Sequence, residues 1–215
     1  MAATQLGLYN EALRLLGERK LLSLSENREP RRVLDDIWND GAINYCLEQG
    51  LWNFAMRAVM IDKSTTTIPA FGYVNAFDKP SDHIRTAGVA EDEYFNTPLT
   101  AVLEEVGFWF ADIDPIYVRY ISNDEDYGND LNRWPQTFSK YVATYLAAEA
   151  SLSITQDPAK RQEVQGLMMF RLRDAKSKDA MADSTAFPPQ GGWTRARGGN
   201  NSSKRDRGNR NNLIG

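Results

Sequence analysis

Apolar residues recur along this chain with two different periods, and the change from one to the other divides it. Over residues 4–16, Leu6, Tyr9, Leu13 and Leu16 stand three or four apart, the spacing of one helical face, and Gly17 follows as a stop. A second helix is predicted over roughly 29–49, where Leu34, Ile37, Trp38, Gly41, Ala42, Tyr45 and Cys46 share a face, Pro30 sits in the first turn and Gly50 ends the run. The period then shortens to two: Phe54, Met56, Ala58 and Met60 alternate with Ala55, Arg57, Val59 and Ile61, and the run Thr65 to Thr67 follows, which reads as strand. From there to residue 128 turn formers such as Pro69, Gly72, Pro80, Gly107 and Pro115 separate short candidate strands at 83–89, 99–106, 108–111 and 116–122.

Helical spacing returns after Pro135, with Phe138, Tyr141, Val142, Tyr145, Leu146, Glu149 and Leu152 on one stripe that ends near Thr155. Asp157 before Pro158 signals a restart, since Asp caps free N–H groups and proline is pre-set for a first turn. The last predicted helix runs to about Met181 and buries Val164, Leu167, Met168, Leu172 and Ala175. The expected fold is therefore α+β and mainly α: a helical bundle (1–60 and 129–182), a small antiparallel β insertion (61–128) and an extended C-terminal arm (183–215). Glu149 is the odd member of its stripe. A buried acid needs a partner, and Arg171, Arg161 or a subunit contact is expected to supply it.

Charge sharpens this division. The chain of 215 residues carries a formal net charge of -4. The stretch from Arg195 to Gly215 holds six basic residues and one acid, Asp206, so the remainder is at -9. An acidic body with a basic, Gly- and Asn-rich arm suggests that the arm meets an acidic partner, nucleic acid or protein. The arm offers three readings. Lys204, Arg205, Arg207 and Arg210 could neutralise phosphates. Phe187 and Trp193, with Arg195 and Arg197, supply an aromatic anchor and guanidinium forks of the kind favoured at protein interfaces, and Leu213 and Ile214 need a receiving surface. The third reading is a solubilising tail.

Motifs for chemistry are sparse. One cysteine, Cys46, excludes an internal disulfide framework and a cysteine-built zinc site, and one histidine, His83, excludes paired imidazole ligands. No phosphate loop, dinucleotide fingerprint or nucleophile elbow occurs. No catalytic residues and no cofactor are therefore expected. Carboxylates Glu104, Glu105, Asp112 and Asp114 leave open a glycoside-hydrolase type of pair acting on cell wall. The stretch Asn123, Asp124, Asp126 and Gly128 lacks the terminal glutamate of a calcium loop. The longest helical apolar run, Tyr141 to Ala148, falls far short of the ~20 residues of a membrane span, and Glu11 precedes any apolar stretch, so neither membrane insertion nor a signal peptide is expected.

The order of these segments resembles the head-to-tail adaptor proteins of short-tailed bacteriophages, the tail tubular protein A or gatekeeper family. The resemblance rests on Glu11 to Glu18 (EALRLLGE), on Leu51-Trp52-Asn53-Phe54-Ala55, and on Tyr73 to Phe77 leading to Lys79-Pro80-Ser81-Asp82-His83-Ile84-Arg85. It continues through 135–153 and the closing Gly192-Trp193-Thr194-Arg195-Ala196-Arg197. It implies a structural virion protein in the neck, assembled in the host cytoplasm as a ring, twelvefold in relatives, between portal and tail nozzle, and lining the DNA ejection channel. Residues 187–215 then become the portal-docking element, and an acidic wall would keep passing DNA from sticking. The alternative is a nucleic-acid-binding protein that uses the basic arm.

Overall fold

The computed structural model describes residues 3–182. Helix α1 (Gln5–Leu16) starts where the Thr4 hydroxyl accepts the Gly7 N–H at 3.1 Å, and ends where Gly17 takes a φ of 80° that lets its N–H reach back to the last turn. The predicted second helix is two helices, α2 (Glu29–Asn39) and α3 (Ala42–Glu48). Gly41 divides them: its φ of 92° is open to glycine alone without strain, so the apolar face continues in sequence while the axis changes direction. A single 3-10 turn at Asn53–Ala55 then delays the alternating segment, and the first strand, β1, covers Met56–Ile61.

Five further strands follow: β2 (Asn75–Asp78), β3 (His83–Ala90), β4 (Leu103–Glu105), β5 (Phe108–Ala111) and β6 (Ile116–Ser122). Two three-stranded antiparallel sheets result, in the orders β1-β6-β3 and β2-β5-β4, where one small sheet was expected. The threonine run lies outside any strand; Ser64 caps it through its own hydroxyl, to which Thr66 and Thr67 donate. The expected strand over 99–106 contracts to three residues, because Leu99 bonds back to Val89 instead. The two long helices are close to prediction: α4 (Gln136–Thr155) and α5 (Pro158–Ala182), with Asp157 accepting the Ala159 N–H at 2.9 Å.

Helix α4 is the centre of the helical part. It packs against α1, α2, α3 and α5, and eleven of its side chains are buried, too many for one stripe. The polar ones are satisfied within the helix: Thr144 Oγ1 donates to the Lys140 carbonyl at 2.7 Å and Ser151 Oγ to that of Ala148 at 2.7 Å. An aromatic cluster closes its N-terminal end, with the Phe138 ring 4.9 Å from both Trp52 and Trp134 and 4.8 Å from Phe54. The buried indoles find acceptors, Trp52 at the Cys46 carbonyl (3.2 Å) and Trp134 at that of Gly128 (2.8 Å).

The β1-β6-β3 sheet belongs to two cores. At one end Met56, Ile121 and Ile84 pack into the helical core; at the other Ile61, Ile116 and Val89 join Phe77, Trp109 and Tyr120 in a second core shared with the β2-β5-β4 sheet. No helix among the described residues is long and apolar enough to cross a membrane.

Gly128, just before α4, sits where an added Cβ would lie 2.3 Å from the Ser122 carbonyl oxygen and 2.7 Å from a Leu47 methyl. Gly128→Ala is expected to cost about 2 kcal/mol in urea unfolding, whereas Gly88→Ala, which meets nothing within 4 Å, should change stability by less than about 1 kcal/mol.

Candidate functional site

The densest polar cluster lies at the junction of the two sheets and is organised by Asp82. Strand register brings it together. Pairing of β1 with β6 sets Arg57 opposite Tyr120, and the β2–β3 connection brings Asp82 over both. The Asp82 carboxylate accepts from Arg57 Nη1 (2.8 Å), from the Tyr120 hydroxyl (3.1 Å) and from Ser122 Oγ. Burial would raise its pKa, but the hydrogen bonds from Ser122, Arg57 and Tyr120 outweigh burial and hold it below the usual carboxylate range. A carboxylate held by three side-chain donors acts as a cross-link between strands.

His83 stands beside it in a second network. Thr86 Oγ1 gives its one proton to Glu104 (2.8 Å) and accepts from Trp109 Nε1 (3.1 Å), so the 2.9 Å contact from His83 Nε2 must be a donated N–H, which assigns the tautomer. The imidazole meets Trp109 edge-on at 5.2 Å and Tyr120 at 5.4 Å. Lys79 Nζ bonds Glu104 at 2.7 Å. Burial, and then Lys79, push the His83 pKa below its ordinary value against the opposing pull of Glu104 and Asp82. His83 is thus held between Thr86, Trp109 and Tyr120.

Glu104, Asp112 and Asp114 are likewise occupied. Asp112 accepts the Val74 N–H (3.0 Å), Asp114 accepts the Lys63 N–H (3.1 Å) and pairs with its ammonium (3.3 Å), and Asp124 lies 3.8 Å from Arg57. Glu105 is exposed on the short strand β4. Among the described residues no group of three or more His, Cys, Asp or Glu is placed to hold a metal. Cys46 is fully buried, and burial pushes its thiol pKa up.

Glu149 is corrected. It faces solvent, and Arg171 pairs instead with Glu11 at 3.1 Å while also donating to Thr144 Oγ1 (2.6 Å) and the Lys140 carbonyl (3.0 Å). Arg161 is exposed and forms no ion pair among the described residues. The stripe containing Glu149 runs onto the rim of the helix, where an acid keeps its hydration. A tie invisible in the sequence joins α5 to the turn before β1: the Asn53 N–H donates to the Asp179 carboxylate (3.1 Å) and its side-chain amide to the Asp179 carbonyl (2.9 Å). The anticipated docking residues, Phe187, Trp193, Arg195, Arg197, Lys204, Arg205, Arg207, Arg210, Leu213 and Ile214, lie outside the described residues.

Exposed apolar side chains are the remaining surface feature. The connection from β1 to β2 carries Ile68 (86% exposed), Phe71 (90%) and Val74 (70%) within seven residues, at the end of the first sheet far from the helical core. Compared with protein-family models and with curated proteins, the chain matches none.

The single histidine makes one prediction clean. Because folding lowers the pKa of His83, the unfolded chain binds its proton first; the stability this contributes is complete above the ordinary value of about 6.5 and is lost as pH falls through the lowered folded value. Urea midpoints should therefore fall between pH 7 and 5, and His83→Gln should flatten that slope. Asp82 and Glu104, also lowered, add a further loss in the carboxylate range that the variant retains.

Proposed function

We propose that this protein is a head-to-tail adaptor of a short-tailed bacteriophage: a non-enzymatic structural subunit that forms a ring beneath the portal, receives the tail nozzle below and lines the DNA channel. The observation that carries the reading is the apolar loop at the far end of the first sheet, where Ile68, Phe71 and Val74 are presented to solvent. Three large apolar side chains so close together on one connection are costly to leave in water and mark a surface meant for another protein. The tail nozzle is the partner assigned to that loop.

The polar chemistry of the body supports the same reading. Of the carboxylates that left a cell-wall hydrolase open, Glu104, Asp112 and Asp114 are engaged in cross-strand and loop contacts that brace the sheets, while Glu105 is exposed. The portal is assigned to the basic segment 187–215, whose Trp193, Arg195 and Arg197 combine the residue types that anchor interfaces. The charge of -9 on the rest of the chain suits a wall past which DNA moves without sticking.

Mixing the full chain with its portal should produce a ring visible by electron microscopy, and deleting residues 187–215 should abolish docking. Replacing Ile68, Phe71 and Val74 together by serine should leave portal binding intact and prevent addition of the nozzle. Chains that never associate with the portal, or a triple variant that still recruits the nozzle normally, would overturn the respective assignment. Salt-sensitive DNA binding through the arm in the absence of portal binding would favour the nucleic-acid reading.

A further inference from the structure

One face of the β1-β6-β3 sheet is only partly covered. On β6, Ile116, Val118 and Tyr120 are buried in the second core, so the alternating residues Tyr117, Arg119 and Ile121 face the other way. Ile121 joins the helical core, whereas Arg119 is exposed. Strand register sets Arg119 between two small residues, Ala58 on β1 and Gly88 on β3. A Cβ added at Gly88 would meet nothing within 4 Å, so the space above it is open. The result is a depression of about 310 Å³, with Met56, Val89, Phe95 and Pro98 among its walls and Arg119 as its one charged residue.

Leu51, half exposed, borders this depression and also a second one of about 390 Å³ between the turn before β1 and the end of α5. Gly50, Trp52 and Ala180 contribute to the walls of the second, and its cations are Arg85 and Lys176. Across the two depressions the charged lining is three cations and one acid, Asp179, which already accepts the Asn53 N–H. Arg119 lies over the Phe95 ring at 4.1 Å and Arg85 donates to the Glu48 carbonyl at 3.1 Å. Neither they nor Lys176 form an ion pair among the described residues. The two depressions make a groove around Leu51 that is apolar in its walls and basic in its unpaired charge.

We propose that this groove binds an extended, acidic segment of another polypeptide, with an apolar side chain seated over Gly88 and carboxylates meeting Arg119 on one side of Leu51 and Arg85 and Lys176 on the other. Side chains alternate along an extended chain, so a segment in which leucines and acids alternate turns its apolar residues to the walls and keeps its acids within reach of the long basic side chains. A guanidinium matches a carboxylate with two parallel hydrogen bonds, and the apolar surroundings strengthen them. A nucleic acid is the poorer occupant. Arg119 already covers the Phe95 ring and Trp52 is 1% exposed, so the groove lacks an open platform for bases. The charge of -9 on the body also repels a long polyanion, whereas a short segment meets chiefly the local cations. This binding site stands on the groove alone and does not depend on the adaptor reading.

Fluorescence anisotropy of a dye-labelled peptide of alternating Leu and Asp, titrated with the full chain, tests it. Binding should be measurable at protein concentrations up to about 1 mM and should weaken as salt rises. Lys in place of each Asp of the peptide, or Arg119→Glu with Lys176→Glu in the protein, should weaken binding by about tenfold or more, since either sets like charges against each other. Gly88→Leu should weaken it too without any change of charge, because the new side chain fills the depression. Arg161→Glu, at the opposite end of α5, should leave binding unchanged. Circular dichroism should show these variants folded, as the altered residues are exposed or, at Gly88, face open space. A wild type that does not bind the peptide, groove variants that bind it undiminished, or an Arg161→Glu chain that loses as much affinity as they do would each overturn the inference. So would displacement of the peptide by oligothymidylate with the same dependence on Arg119 and Lys176, which would assign the groove to single-stranded nucleic acid.

Discussion

Burial of α4 on nearly every side is the constraint from which the rest of the body follows. A helix with eleven buried side chains must be surrounded, and α1, α2, α3 and α5 do so. Its small residues, Ala143, Ala147, Ala148 and Ala150, permit close approach, and its buried hydroxyls are satisfied by carbonyls of the same helix, so no neighbour has to supply a polar partner for them. Arg171 uses that arrangement from outside: one guanidinium nitrogen binds α1 through Glu11 and α4 through Thr144 and the Lys140 carbonyl, holding α5 against both. A charged hydrogen bond at the edge of a packed interface adds direction to an otherwise greasy contact.

The β1-β6-β3 sheet extends this frame. Because one end of each strand lies in the helical core and the other in the second core, the sheet transmits the position of the helices to the smaller sheet and to the apolar β1–β2 connection. Asp82 and the His83–Thr86–Glu104 chain brace that junction, and the Asn53–Asp179 contact ties the end of α5 to the start of β1. Polar groups are thus concentrated where elements must be held in register. Large apolar side chains such as Ile68, Phe71 and Val74 are exposed away from these braces.

Within the helical part, α1, α2, α3 and α5 all pack on α4, so their arrangement is set by core packing. The β1–β2 connection, by contrast, is joined to the body only through strands. In the proposed adaptor such a division joins a stiff wall to a separate loop that can meet a different partner.

Local patterning alone determined the helices and most strands: the steps of three and four in α1, α4 and α5, the Asp157–Pro158 restart, and the short strands β5 and β6 bounded by turn residues all depend on neighbours along the chain. The break at Gly41 escaped because glycine fits an apolar helical face as readily as it fits a left-handed turn, and only the direction of the following helix distinguishes them. The division into two sheets, the Asp82 hub and the Arg171–Glu11 pair escaped for a related reason. Arg57 and Tyr120 are 63 positions apart and meet only through strand register, and Glu149 and Glu11 cannot be ranked as partners for Arg171 until α1 and α4 are packed. Period and composition report which side of an element faces inward. Which elements face each other is settled by tertiary packing, because the energy that selects the partners comes from contacts between residues far apart in sequence.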